Sequence, residues 1–342
     1  MTGPTATAAG PTIVLVALVA VVGCSGSADE RSASAVRDSA GIRIVENFVT
    51  APPDTWAVAD TPLADIGAAS GDSLQQLFRV QDAIRLSDGR IAVANAGTGE
   101  IRFYDAGGQH VETAGGQGQG PGEFQRLGLL CRLPGDTLLA WDRLSRRVSV
   151  FSPEGSFLRS FALEHPGERT LVGLVGCFED GTLITSAARR ARPSEVDVEP
   201  GRKRRVETYV RFSSPGLFTD TVARIPGDAS YLWVLREGKE LLSLPVPFDH
   251  RTYEAVGPSG FYVAFSHRYE VEVYGPDEML RTIIRARGTP PEVSESNWEM
   301  FLKQRLSGIG DENRRREWRQ RYREVPLPDR MPLVSALAVD RS

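Results

Sequence analysis

The feature that most constrains the fold is a strand-turn-strand unit that recurs along the chain. Each copy contains a turn pair of residue types that tolerate positive φ, which suits tight connections between strands. These pairs are Asp88-Gly89, Gly135-Asp136, Asp180-Gly181 and Ser259-Gly260. The copies are Leu86–Gly116, Leu133–Phe161, Phe178–Ala187 resuming at Glu207–Val222, and Gly257–Ile283.

In each copy an alternating strand follows the turn pair, and the next strand ends in an aromatic residue. The aromatic residues are Tyr104, Phe151, Phe212 and Tyr274. Alternation places successive side chains on opposite faces of a sheet. One such sheet cannot bury both faces, whereas several sheets stacked around an axis can. The 47 residues from Tyr104 to Phe151 fit a propeller blade of about 40 to 50 residues. The sequence therefore predicts an all-β fold, a β-propeller.

The first copy also resembles the NHL repeat family of propellers. The residues that carry the resemblance are RIAVANAGTGEIRFYDAGGQ (Arg90–Gln109) and GGQGQGPGEF (Gly115–Phe124). The match covers residues 79–124 well, the second copy moderately and the other two weakly, and Asn95 stands where the family usually has Asp. As a whole the chain is similar to six-bladed propeller lipoproteins of bacterial envelopes. The resemblance implies a fold, and a fold alone does not give a function.

Residues 41–342 are expected to form the propeller domain, with insertions at 188–206 and 291–325. LVSALAV (Leu333–Val339) reads as the inner strand of a further blade, and Gly41–Asn47 and Trp56–Gly67 read as outer strands of the blade that closes the ring. Six-bladed relatives would need more sequence than the four copies provide, so we expect a C-terminally incomplete ring. In the alternative, fewer blades close and Leu333–Val339 pairs directly with Gly41–Asn47.

The N-terminal segment has the pattern of a lipoprotein leader. IVLVALVAVV (Ile13–Val22) is too short to span a bilayer but suits a signal peptide. The following VVGC resembles a bacterial lipobox, although no Lys or Arg precedes the apolar run. We expect a signal peptide over 1–24, lipid attachment at Cys24 and a flexible linker over 25–40. The protein would then be anchored to a membrane of the cell envelope, facing the periplasm or the exterior. The alternatives are an ordinary cleaved signal, or a chance apolar stretch before a buried cysteine.

Near the C-terminus the pattern becomes helical. Trp298, Phe301, Leu302 and Leu306 recur at helical spacing, and the basic stretch Asp311–Val325 follows. We expect two helices over about Ser294–Glu324 on the rim of the propeller, with Trp298, Phe301 and Leu302 facing it. The formal net charge of −4 gives no attraction to nucleic acid, so nucleic acid is not an expected partner. Anionic lipid or an envelope partner remains an alternative for the basic helix.

The sequence contains no catalytic constellation. No two of its histidines, His110, His165, His250 and His267, share metal-ligand spacing. Gly115–Phe124 is expected to connect two blades rather than bind phosphate, because a β-type run follows it. Cys131 and Cys177 could pair in an oxidising envelope, but their unequal offsets from the turns favour two separate buried thiols. We therefore predict no catalytic residue, no metal ligand and no cofactor.

The leading functional hypothesis is an envelope-anchored lipoprotein propeller that binds a peptide, a glycan or another protein. One alternative is an NHL-like lyase or lactonase with a divalent metal in the central channel, as that family resemblance allows. Another is a structural subunit of an envelope assembly. The side chains at the channel mouth discriminate between the first two, since three or more converging ligands would favour the enzyme.

Overall fold

The computed structural model describes residues 34–48, 59–167, 169–189, 199–235, 240–258 and 260–339. In these residues the chain forms nineteen β-strands and two α-helices. The strands make four sheets, and in each sheet consecutive strands pair as an antiparallel meander. The fold is all-β and of the β-propeller type, which confirms the prediction from the repeats.

The first two sheets have four strands each, and they correspond to the first two sequence copies. The first sheet contains β3 (Val80–Arg85), β4 (Ile91–Asn95), β5 (Glu100–Tyr104) and β6 (His110–Gly115). The second sheet contains β7 (Leu127–Arg132), β8 (Leu138–Asp142), β9 (Arg147–Phe151) and β10 (Phe157–Ala162).

The third and fourth sheets are larger. The third contains β11 (Arg169–Cys177), β12 (Leu183–Arg189), β13 (Gly201–Ser213), β14 (Leu217–Leu235) and β15 (Glu240–Pro245). The fourth contains β16 (Thr252–Gly257), β17 (Gly260–Phe265), β18 (Glu270–Tyr274) and β19 (Leu280–Ala286). Two N-terminal strands, β1 (Ser34–Ser39) and β2 (Ile42–Asn47), extend its outer edge.

The sheets pack face to face around a central channel. The first strands of the sheets lie innermost, with β3 against β7, β7 against β11, and β11 against β16. A buried apolar cluster fills each of these three interfaces, such as that of Phe103, Phe124 and Leu138 between the first two sheets. Among the described residues, β16 and β3 pack on each other less than the other neighbouring pairs of innermost strands do. Burial of both sheet faces explains why the repeats need one another.

Strand direction gives the propeller two distinct ends. At the hairpin end lie the turns from the first to the second strand of each sheet and from the third to the fourth. At the connector end lie the turns from the second to the third strand and the segments that join one sheet to the next. The turn pairs of the first three sequence copies therefore lie at the hairpin end, as does Gly260 of the fourth, whereas Ser259 lies outside the described residues. Gly89, Gly135 and Gly181 have positive φ there, as their turns require.

The aromatic residues of the copies lie at the last position of the third strand, or one residue before it in β13. Tyr104, Phe151 and Phe212 are fully buried, and Tyr274 is half-buried. The Tyr104 hydroxyl donates to the Leu74 carbonyl oxygen at 2.8 Å, so the segment before β3 is held against the first sheet. Arg102 reinforces this contact through the carbonyl oxygens of Ser73, Leu74 and Gln76. The expected strand at Trp56–Gly67 is absent from residues 59–67, and residues 56–58 lie outside the described part.

Strands β13 and β14 run past β12 at the connector end, and with β15 they form a three-stranded arm (residues 201–207, 225–235 and 240–245). The arm corrects the expected insertion at 188–206, because β12 extends to Arg189 and β13 begins at Gly201. Residues 190–198 lie outside the described part. The polar residues 201–207 form a strand because they pair with β14, which follows the expected insertion in the sequence.

The two predicted helices are confirmed as α1 (Glu295–Leu306) and α2 (Glu312–Arg323). Ser294 and Asn297 form a capping box at the start of α1, and Asp311 caps α2. Trp298 and Leu302 are buried and Phe301 is half-buried, in a cluster that includes Trp233 and Val246. The helices therefore rest on the arm and face the protein with the predicted side chains.

The N-terminal strands correct the expected linker. Ser34–Ser39 lies within the range 25–40, yet it pairs with β2 in an antiparallel hairpin. Strand β2 in turn pairs in parallel with β19. Direct pairing between Leu333–Val339 and Gly41–Asn47 was one alternative for ring closure, and it is wrong. Instead, the Leu333 amide donates to the Ser266 carbonyl oxygen, and any side chain on Gly257 would collide with Val339.

Candidate functional site

The candidate site is a cavity of about 360 Å³ at the hairpin end, where the turns after the four innermost strands meet. Each of the four sheets contributes to its wall. The lining residues are Ser87 from the first sheet, Arg132 to Asp136 from the second, Cys177 to Glu179 from the third, and Gly257 and Pro258 from the fourth. A cavity shared by several blades is a usual place for a ligand in a propeller-type fold, because loops from separate sheets converge there.

The carboxylate of Asp136 is the most firmly held polar group of this cavity. Its turn pair gives Gly135 and Asp136 positive φ values of 74° and 57°. Both carboxylate oxygens accept from the Ser87 amide at 3.1 Å, and one accepts from the Ser87 hydroxyl at 2.5 Å. The side chain therefore links the turns of the first and second sheets and fixes one side of the cavity wall.

Arg132 supplies a cation beside this carboxylate. Its Nη1 lies 3.8 Å from Asp136 Oδ1 and donates to the Arg85 carbonyl oxygen at 3.1 Å. A guanidinium carries five N–H donors, so these contacts through Nη1 leave donor capacity for a ligand. The side chain is also 29% exposed, so its donors can reach a bound molecule.

The third sheet adds an aromatic wall. Phe178 is 8% exposed, and the Arg211 guanidinium lies over its ring at 5.5 Å. Arg211 in turn forms an ion pair with Glu278 at 3.4 Å. A cation over the ring face holds the ring in place. The cavity thus combines an arginine, an oriented carboxylate and a fixed aromatic ring.

A second cavity of about 790 Å³ occupies the channel between the innermost strands. It is lined by β3, β7, β11 and β16 and by residues 337–339, and Arg132 lines both cavities. The predicted inner strand Leu333–Val339 thus lies along the channel beside β16, although its residues are not assigned to a strand.

An acidic group lies where the third and fourth sheets meet. Burial raises the pKa of Glu254 from 4.5 to about 7, and the negative charges of Glu207 and Asp228 act in the same direction. The Tyr209 hydroxyl donates to Glu207 Oε2 at 3.2 Å, and burial raises the pKa of Tyr209. Glu254 lines the channel cavity, so a proton can be held at this wall near neutral pH.

The histidines do not converge on the cavity. His110 contacts Thr113 on the outer strand β6, and the His165 ring lies 4.9 Å from that of Phe218. His250 and His267 meet at the connector end, with ring centroids 4.7 Å apart, and burial lowers the pKa of both. Within the described ranges, no group of three or more His, Cys, Asp or Glu side chains is placed to hold a metal ion.

The remaining sequence predictions have separate outcomes. Gly115–Phe124 connects β6 to β7, and Phe124 is fully buried between the first two sheets, as expected for a connector. Cys131 and Cys177 are buried thiols in the interface of the second and third sheets. Cys24 lies outside the described residues. No helix in the described part of the chain is long and apolar enough to cross a membrane.

The sequence matches none of the protein-family models and none of the curated proteins compared. Among solved structures it is similar to a protein from Bacteroides fragilis described as exported, at 16% identity over 72% of this chain and 60% of that one, with a TM-score of 0.41. It is also similar to a streptogramin B lyase, at 9% identity over 62% of this chain and 71% of that one, with a TM-score of 0.33.

A third similar structure is a virginiamycin B lyase from Staphylococcus aureus, determined with quinupristin. Its identity is 12% over 55% of this chain and 77% of that one, with a TM-score of 0.28. The chain spans about 60% of the length of the Bacteroides fragilis protein. Similarity at this distance carries no neighbour's substrate to this chain.

Sequence reasoning missed the residues that build the cavity. The sequence pattern indicates only a turn at Gly135-Asp136, and it gives no functional signal at Arg132 or Phe178. The available signal was the recurrence itself, because equivalent turns of adjacent blades must come together at one end of the ring. The acidic group at Glu254 had no local signal, since its partners lie on another sheet.

Proposed function

We propose that this chain is a lipid-anchored propeller of the cell envelope that binds a peptide or a glycan in the hairpin-end cavity. The observation that carries the proposal is the cavity itself, which is built by turns from all four sheets. Its wall offers Arg132 as a donor, Asp136 as an oriented acceptor and Phe178 as an apolar surface. A few fixed polar groups on a partly apolar wall are the usual composition of a specific binding site.

The anchor part of the proposal rests on the leader sequence. The apolar run Ile13–Val22 followed by VVGC supports lipid attachment at Cys24, and the resemblance to six-bladed envelope lipoproteins supports a location in the cell envelope. A lipid on Cys24 would hold the propeller at a membrane surface without a spanning helix.

The lyase or lactonase alternative has no observation in its favour at the cavity, because none of the four histidines lines it. A role as a structural subunit is likewise not favoured by the helices. Their apolar side chains Trp298, Leu302 and Tyr322 are buried against the arm, so they are occupied within the chain.

Binding is tested with arrays of defined peptides and oligosaccharides probed with the purified chain. We expect binding to a restricted set of these molecules, reduced about 10-fold or more by Arg132→Ala, since a hydrogen bond to a charged group contributes about 1.5–3 kcal/mol. Glu154→Ala, on an exposed turn at the same end but outside the cavity, is the matched control and should bind normally. Binding that survives Arg132→Ala unchanged would contradict the proposed site.

The anchor is tested by detergent partitioning of the native protein. We expect the wild-type chain to enter the detergent phase and Cys24→Ala to remain outside it or stay unprocessed. Unchanged partitioning of the variant would contradict lipid attachment at Cys24.

A further inference from the structure

Charge is distributed unequally between the two ends of the propeller. The turns of the hairpin end are rich in carboxylates. In the described part of these turns, eight residues are Asp or Glu and one, Arg90, is a cation. All but two of these carboxylate residues are exposed, Asp136 being buried and Glu278 half-buried. The carboxylates are Asp88, Asp105, Asp136, Glu154, Glu179, Asp180, Asp277 and Glu278.

The connector end has the opposite character. Exposed cations lie in its turns, in its sheet-to-sheet connectors and on the first strand of the arm. Leu144, whose side chain is 62% exposed, lies in the same turn as Arg143 and Arg146. Among the described residues of this end, exposed carboxylates are fewer than exposed cations. They include Glu123, Glu164 and Asp228, and Asp228 forms an ion pair with Arg251 at 3.9 Å. Asp249 is buried and already bound by Arg202 and Arg204. The exposed cations are Arg126, Arg143, Arg146, Arg202, Lys203, Arg204, Arg205, Arg251, Arg268 and Arg287.

The chain also enters the fold at the connector end. Ser34 pairs with Asn47, and Asn47 pairs with Ala286 at the end of β19. Through β18 and β17 this edge aligns with Thr252, where the connector from the third sheet enters the fourth. Residues before Ser34 therefore leave from the basic end. Nine residues lie between Cys24 and Ser34, so an extended tether of ten Cα–Cα steps reaches at most about 35 Å.

We propose that the connector end docks on an anionic membrane surface, so that the acidic hairpin end and its cavity face away from the bilayer. The inference rests on the proposed lipid anchor for holding the protein at the membrane, whereas the charge distribution sets its orientation. The anionic surface attracts the exposed arginines and repels the carboxylates of the opposite end. Docking therefore leaves the cavity open to ligands.

The expected strength follows from the cations within reach of the surface. Each Lys or Arg near an anionic leaflet favours docking about fivefold at moderate salt, and screening removes this attraction beyond about 8 Å. Several of the exposed cations acting together hold the basic end against the surface, whereas a neutral bilayer exerts no such attraction on it.

Orientation is tested on the lipidated full-length protein in phosphatidylcholine vesicles, with and without phosphatidylglycerol. An environment-sensitive fluorophore is attached at Leu144→Cys, at the connector end, or at Ser156→Cys, at the hairpin end. Cys131 and Cys177 are buried, and the chain without an added cysteine controls for their labelling. We expect a blue shift of the Leu144→Cys label only with phosphatidylglycerol, reversed by high salt, and no shift of the Ser156→Cys label.

Two variants matched in net charge locate the effect. Lys203→Gln with Arg205→Gln should lower the docked-to-undocked ratio by roughly 25-fold, at about fivefold for each cation. Gln109→Glu with Met279→Glu changes the net charge equally at the hairpin end and should leave the ratio unchanged. Equal losses in both variants, a shifted Ser156→Cys label, or the same Leu144→Cys signal on neutral vesicles would overturn the proposal.

Flotation of the vesicles at high salt separates this proposal from that of the anchor. A chain that stays with the vesicles but gives no phosphatidylglycerol-dependent signal refutes docking alone. A chain that leaves them at high salt, yet gives the Leu144→Cys signal at low salt, refutes the anchor and supports docking.

Discussion

Replacing Glu254 by Gln should stabilise the protein at alkaline pH and have little effect at acid pH. Burial raises the pKa of this carboxyl to about 7 in the folded protein, from an ordinary value of 4.5. The folded state therefore binds the proton more tightly than the unfolded state does. The resulting stability is fully present below the ordinary pKa and is lost as the pH rises through about 7.

The difference of about 2.5 pKa units corresponds to roughly 3 kcal/mol of folding free energy. Above the folded pKa the wild-type protein must ionise a carboxyl that lies near the negative charges of Glu207 and Asp228. The amide of Glu254→Gln is neutral at every pH, so the variant avoids this cost. We therefore expect the variant to gain up to about 3 kcal/mol near pH 8 and to match the wild type near pH 4, below the ordinary pKa.

Urea unfolding of both proteins at the two pH values measures the effect. Glu164→Gln, which changes an exposed carboxyl in a connector, is the control and should show no comparable dependence on pH. A stability difference between Glu254→Gln and wild type that is the same at both pH values would refute the reasoning. A variant less stable than wild type near pH 8 would also refute it.

Three further predictions concern packing and the arm. Phe124→Ala removes a fully buried ring 6.0 Å from that of Phe151 and should lower the free energy of unfolding in urea by about 3–5 kcal/mol. In the control, Leu158→Ala, the replaced side chain is 55% exposed, and the loss should be under about 0.5 kcal/mol. Asp249→Asn weakens the contacts to Arg202 and Arg204, at 2.7 and 2.8 Å, and should lower the free energy of unfolding by about 1–3 kcal/mol. Hydrogen exchange in residues 225–235 of the arm should become faster, and unchanged exchange would contradict a role of Asp249 in holding the arm. Cys131 and Cys177 should resist alkylation in the native protein and react in urea, and rapid native labelling would contradict their burial.

The sheets were predictable from the sequence because the repeats combine short-range signals. The turn pairs and the aromatic residues of the third strands recur along the chain, the aromatics at spacings of 47, 61 and 62 residues, which are one blade or one blade plus extra sequence. Each of these signals reports a local requirement of the backbone or core. The helices were equally accessible, since Trp298, Leu302 and Leu306 recur on one face and a capping residue, Ser294, precedes them.

The arm and the cavity were not predictable in the same way. Residues 201–206 read as part of a polar insertion because their pairing partners on β14 lie 20 to 31 residues further along the chain. Arg202 and Arg204 meet Asp249 from 47 and 45 residues away. Asp136 similarly meets Ser87 across two sheets. Contacts between sheets depend on how the ring assembles, and no single stretch of sequence encodes them.

The central claim, a binding module with its site at the hairpin end, is tested most directly by hydrogen exchange of the purified chain. Exchange is compared with and without the tightest-binding molecule from the peptide and oligosaccharide arrays. The account predicts slower exchange in the turns at 133–137 and 178–182, which line the cavity, with the arm and helices unchanged. Protection confined to the connector end, or to the arm and α2, would contradict it.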